Sequence, residues 1–80
     1  MKANVIVRLK SQVLDPQGET IRAALDTLGY KNVNEVRQGK HFELSLEVES
    51  REEAVAQAKE IAERVLSNPV LETFVVEVAD

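Results

Sequence analysis

Eighty residues make one domain, residues 1–80, and a chain of that size buries only about 60% of the surface its unfolded form exposes, so self-association is a natural supplement to its core. With no cysteine there are no disulfides or thiolate metal sites, and a formal charge of −4 argues against general affinity for nucleic acid or anionic membranes. The charge is uneven: residues 1–40 hold seven Lys/Arg against four Asp/Glu, and residues 41–80 hold three against ten. A chain polarised in this way would meet partners, or its own copies, in a preferred orientation. Met1-Lys2-Ala3-Asn4 leads directly into a short alternating segment, without the pattern of a signal peptide or membrane span, which makes the cytoplasm the expected compartment.

Val5, Val7 and Leu9 alternate with Asn4, Ile6, Arg8 and Lys10, the period-two pattern of a first strand with one face in the core; Ile6 breaks the polar side. Asp15 and Pro16 then open a helix. The aspartate can accept from the free amides of a first turn, and the proline's missing N–H would be unpaired there anyway. Gly18 falls inside that turn, where it costs on the order of 1 kcal/mol relative to alanine, either as a tolerated weakness or because something approaches the bare backbone. Ile21, Ala24, Leu25 and Leu28 recur at helical spacing, and Gly29 is placed to end the helix, Pro16 to Leu28, in the left-handed conformation. Val33 and Val36 mark a short second strand of imperfect parity, and Gln38-Gly39-Lys40 a tight turn with Gly39 at positive φ. The third strand, His41 to Val48, alternates through Phe42, Leu44, Leu46 and Val48.

Ser50-Arg51-Glu52-Glu53 has the form of a capping box that starts a second helix. Its apolar stripe runs through Ala54, Ala58, Ile61, Ala62, Val65 and Leu66, Glu60 and Arg64 form a favourable pair, and Asn68-Pro69 closes it. The last strand puts Phe74, Val76 and Val78 on one face, with Leu71 and Val75 on the other. The order β-α-β-β-α-β with right-handed crossovers predicts an α+β fold: a ferredoxin-like antiparallel four-stranded sheet, strand order 4-1-3-2, with both helices on one face. Ile6 and Val75 then lie on the open face of neighbouring strands, as candidates for self-association.

Candidates for chemistry are few. His41, the only histidine, stands beside a turn with no nucleophile signal near it, and Glu43, Glu47 and Glu49 form the solvent side of a strand. Glu52 and Glu53 belong to a helix start, where negative charge is favourable. An independent hydrolase built on His41 and these carboxylates is therefore a minor reading. The glycines stand alone at separate junctions rather than in a phosphate loop, and three aromatic residues are too few for an RNA-recognition sheet. We expect no catalytic residue, metal ligand or cofactor-binding residue in this chain. The topology brings Arg8, Lys10, Asp15 to Gly18, Arg37 to Lys40 and Ser67-Asn68-Pro69 to one edge of the domain, where loops on a rigid scaffold are suited to binding. The partner-binding candidates are Asp15, Pro16, Gly18, Arg37, Gly39, Lys40, Asn68 and Pro69.

Four segments carry a resemblance to a known family: Val13-Leu14-Asp15-Pro16-Gln17-Gly18, Leu28-Gly29-Tyr30 followed by Val33, Val36-Arg37-Gln38-Gly39-Lys40, and Asn68-Pro69-Val70. In order and spacing they resemble PurS, the small-subunit family of phosphoribosylformylglycinamidine synthase in purine biosynthesis, over essentially the whole chain. The resemblance implies a non-catalytic assembly subunit of an ATP-dependent amidotransferase. In that complex a glutaminase subunit (PurQ) releases ammonia, and a synthetase subunit (PurL) uses ATP and Mg to place it on formylglycinamide ribonucleotide. The small subunit would bridge the two and assist ammonia transfer, working as a dimer or tetramer. A small-molecule-sensing regulatory module similar to an ACT domain shares the order of elements and is the alternative.

Overall fold

The computed structural model describes residues 1–79. Strand β1 (Lys2–Leu9) leads to helix α1 (Pro16–Thr27), strand β2 (Gly39–Ser45), helix α2 (Arg51–Ile61) with a π-helical turn (Ala62–Leu66) at its end, and strand β3 (Glu72–Ala79). The alternation along the first strand does what it predicts: Ala3, Val5 and Val7 are fully buried. β1 is central. It pairs antiparallel with β2 on one side and with β3 on the other, giving the order β2-β1-β3. Register places Val5 opposite both Phe42 and Val76, and Ala3 opposite Leu44 and Val78, so one face of the sheet is apolar across all three strands.

α2 and the π-helical turn that continues it cover that face through Ala54, Ala58 and Ala62, all fully buried. Their spacing of four puts small side chains on a single stripe and lets the helix backbone come close to the sheet. Val5 and Val7 are the largest fully buried side chains, each worth about 1.5–3 kcal/mol of burial. Ser50 Oγ accepts from the Glu53 amide at 3.1 Å, the capping bond expected of the Ser50-to-Glu53 box. Arg51 ties the same end to the sheet by donating to the Val78 carbonyl at 2.8 Å, and the expected Glu60–Arg64 pair forms at 3.1 Å. Ser67 stops the π-helical turn: its amide and its hydroxyl both donate to the Ala62 carbonyl, at 2.9 and 2.8 Å.

α1 begins and ends as its residues dictate. Gly29 takes φ 102°, with its amide on the Asp26 carbonyl and the Tyr30 amide on the Leu25 carbonyl, the bonding of a Schellman stop. The packing of α1 does not match the ferredoxin-like expectation of two helices on one face. Among the described residues α2 with its π-helical end is the helix that packs on the sheet, while Ile21 on α1 and Leu28 at its C-cap remain 42% and 73% exposed. The sheet has three strands rather than four, because no strand forms around Val33 and Val36. Those two valines are three apart, a spacing that cannot serve one strand face, and the backbone that follows is committed elsewhere. Without the second strand there is no hairpin at Gln38-Gly39-Lys40. Gly39 instead opens β2, and Gly29 is the residue with positive φ.

The close helix-to-sheet approach predicts that Ala58→Leu overpacks this layer and costs about 1–3 kcal/mol. Urea unfolding at fixed protein concentration measures it. A midpoint equal to that of the unsubstituted chain would mean that α2 stands further from β1 than the alanine stripe implies.

Candidate functional site

The strongest convergence of distant residues lies where α1 starts. Asp15 is a buried charged residue, 6% exposed, and its carboxylate bridges two chain segments. One oxygen accepts from the Gly18 amide at 2.8 Å, capping α1, and the other from the Gln38 amide at 2.7 Å, 23 residues away. Arg37 answers in the reverse direction, donating Nη1 to the Val13 carbonyl at 2.8 Å and Nη2 to the Lys10 carbonyl at 3.0 Å. The segments 10–18 and 36–38 are thereby clasped from both sides. The Gln38 and Gly18 amides, with the nearby positive charge of Arg37, hold the Asp15 carboxyl below its ordinary pKa, against the smaller opposing effect of burial.

Gly18 makes the clasp possible. A methyl group there would fall on the carbonyl oxygen of Val36, so the glycine is a point of close backbone approach. The neighbour is the chain's own segment. Gly39 is similarly confined, since a Cβ would lie 2.7 Å from the Val7 carbonyl oxygen.

The convergence extends to the far end of α2 through Glu72, a residue whose role the strand pattern hides. Its carboxylate accepts from the Asn68 amide at 2.7 Å and pairs with Lys40 Nζ at 3.5 Å, with its side chain only 14% exposed. Asn68 Oδ1 in turn accepts from the Val70 amide at 3.0 Å and shapes the turn into β3. A recess of about 360 Å³ lies between these groups, lined by Asp15, Gln17, Gly39, Lys40 and Glu72. Asp15, Gly39 and Lys40 thus share one recess, Gly18 and Arg37 lie in the adjoining clasp, and Asn68 reaches it through Glu72. Pro16 and Pro69 are exposed, at the start of α1 and in the turn before β3.

On the face of the sheet away from α2, Ile6 sits opposite Val75 and opposite His41. Val75 is 50% exposed. His41 Nε2 lies 3.0 Å from Asn4 Oδ1 on the same face. Among the described residues no cluster of three or more His, Cys, Asp or Glu is arranged to hold a metal ion.

Residues 2–80 match the family described as PurS: Phosphoribosylformylglycinamidine (FGAM) synthase. The chain belongs to the PurS family. The PurS subunit of phosphoribosylformylglycinamidine synthase from Methanocaldococcus jannaschii is 39% identical over 77 residues, spanning 96% of this chain and 93% of that protein. The crystal structure of Bacillus subtilis PurS superimposes with a TM-score of 0.87 at 42% identity, covering 99% of this chain and 98% of that one. A chain of the Thermotoga maritima PurLQS structure does so with a TM-score of 0.86 at 37% identity, covering 95% and 93%. The chain is accordingly a PurS subunit of FGAM synthase, in purine biosynthesis. The agreement with solved PurS chains includes the α+β architecture of two helices and a three-stranded antiparallel sheet.

Two outcomes test the clasp. Because the folded-state pKa of Asp15 is lowered, its contribution to stability is present above the ordinary carboxylate value near 4 and is lost as pH falls through the folded value. Asp15→Asn is expected to lower the melting temperature at neutral pH and to lower it by less at acid pH, because the gap narrows as pH falls below about 4. An equal gap at both pH values would separate the effect from the carboxylate's charge. Gly18→Ala should destabilise the chain although it gains about 1 kcal/mol of helix propensity, because overlap with a backbone carbonyl costs about 1–3 kcal/mol or more. A urea midpoint at or above that of the parent would show that Val36 is not in contact.

Proposed function

We propose that this PurS chain is the assembly subunit of the FGAM synthase complex, joining the glutaminase (PurQ) and synthetase (PurL) subunits in the cytoplasm. It assists ammonia transfer to formylglycinamide ribonucleotide without catalysing a step itself. ATP and Mg are used by the complex rather than by this chain. The working form is a dimer or tetramer.

The observation that carries this reading is the unfinished packing of α1. The radius of gyration is 16.0 Å and the long dimension 50 Å. A compact domain of this length has a radius of gyration of about 12 Å. α1 has no place on the chain's own sheet, and Leu14, Ile21, Leu28 and Tyr30 leave apolar surface in water around it. A second copy covers that surface, and Ile6 with Val75 offers a further apolar pair on the open face. The convergent edge supplies the contact to other subunits. Asp15 and Gly18 are buried, and Arg37 and Gly39, though exposed, are tied against the chain's own backbone, so direct contact is assigned to Pro16, Lys40, Asn68 and Pro69, of which Lys40 also pairs with Glu72.

Light scattering on the purified chain is expected to return two or four times the 8.9 kDa chain mass. A single-chain mass with full helical circular dichroism would overturn the self-association. With the other two subunits present, omitting this chain should abolish glutamine-dependent turnover and spare turnover on free ammonia. Equal loss of both would contradict a role in ammonia transfer. Lys40→Ala with Pro69→Ala should weaken capture of the other subunits, and capture unchanged from the parent would move the contact off this edge.

A further inference from the structure

A second cleft, of about 600 Å³, opens between the end of β1 and the segment that precedes β2. Its walls carry Arg8, Lys10 and Arg37 against a single carboxylate, Glu35, in a chain whose net charge is −4. Among the described residues none of the three cations forms an ion pair. Arg37 is fixed in place by the Val13 and Lys10 carbonyls, which are neutral acceptors, and the nearest opposing charge is the buried Asp15 carboxylate behind it. Those two bonds use two of the five guanidinium N–H groups, and the remaining three have no hydrogen-bond partner among the described residues. Arg8 stands on a backbone paired on both sides, to Gly39 and to Thr73, so its Cα is held firmly. The backbone under Arg8 and the guanidinium of Arg37 are therefore set before a ligand arrives, which lowers the ordering cost of binding.

The lining also limits what can enter. Apart from Leu9 its residues are polar or charged: Ser11, Gln12, Gln38 and Thr73 add neutral donors, and no aromatic ring is present to stack a base. On the lining itself three positive charges face one negative, and even with Asp15 behind Arg37 the excess suits an anionic ligand; planar guanidinium forks suit tetrahedral oxyanions. We propose that this cleft binds a phosphate dianion, either inorganic phosphate or the phosphate of a phosphomonoester. The cleft adjoins the recess lined by Asp15, Gly39, Lys40 and Glu72 and shares Leu9 and Gln38 with it, but its charged residues are not those of the partner contact at Pro16, Lys40, Asn68 and Pro69, and phosphate binding does not depend on that contact.

The test is a titration of the full chain followed by amide NMR shifts, with inorganic phosphate in one arm and glycerol 3-phosphate in the other, and with ionic strength held constant by sodium chloride. Saturable shifts confined to residues 8–12, 35–38 and 73 are expected. Arg8→Gln with Lys10→Gln should weaken binding by about tenfold or more, and Glu35→Gln should strengthen it several-fold. If phosphate alone saturates, the ligand is free phosphate; if both do, the site accepts the phosphomonoester. Linear shifts, shifts reproduced by chloride, or shifts spread over Arg22, Lys31 and Arg64 would overturn the proposal. So would a Glu35→Gln variant that binds no more tightly than the parent.

Discussion

The Asp15 carboxylate joins the two parts of this molecule. One oxygen satisfies a free amide of the first turn of α1, and the other satisfies the Gln38 amide just before β2. A charged acceptor on two backbone donors is among the stronger hydrogen-bonding arrangements available to a short chain. It fixes where the helix starts relative to the strand that enters the sheet. The bare Cα of Gly18 against the Val36 carbonyl and the Arg37 fork on the Lys10 and Val13 carbonyls serve the same junction. Two side chains and one bare glycine thus close one loop, and each does so against backbone groups.

That dependence on backbone explains what can be read from the residues and what cannot. The two helices, the alternation of β1 and β3, the Ser50 cap and the Gly29 stop all rest on local rules and form where their residues place them, except that the second helix turns π-helical from Ala62 and leaves Val65 of its expected stripe exposed. The second strand fails because local pattern is not the only claim on its backbone. Gln38 N–H, a donor that a ladder would need, goes to Asp15, and the Val36 carbonyl lies against Gly18. Neither commitment leaves a mark in hydrophobic periodicity. The edge where Asp15, Gly18, Arg37 and Lys40 meet is legible from topology, since it follows from where strands and helices begin and end. Glu72 is not legible, because an acidic residue at the start of a strand looks like solvent-facing polarity until Asn68 and Lys40 are seen around it.

The same junction bears on self-association. With α1 anchored at the end of the sheet, its apolar residues are not carried back over β1, and the space there belongs to the alanine stripe of α2. The core that results is small: its largest fully buried side chains are Val5 and Val7, and the rest of its fully buried positions are alanines. Such a core offers little surplus over the conformational entropy of an 80-residue chain. Apolar surface left on α1 is therefore a reserve of stabilisation that only another chain can draw on. Since Asp15 sets the course of that helix, protonating one carboxylate loosens both the fold of a single chain and the geometry with which it presents α1. Stability should then respond to acid through the amides of Gly18 and Gln38, and the proposed pairing through α1 would respond with it.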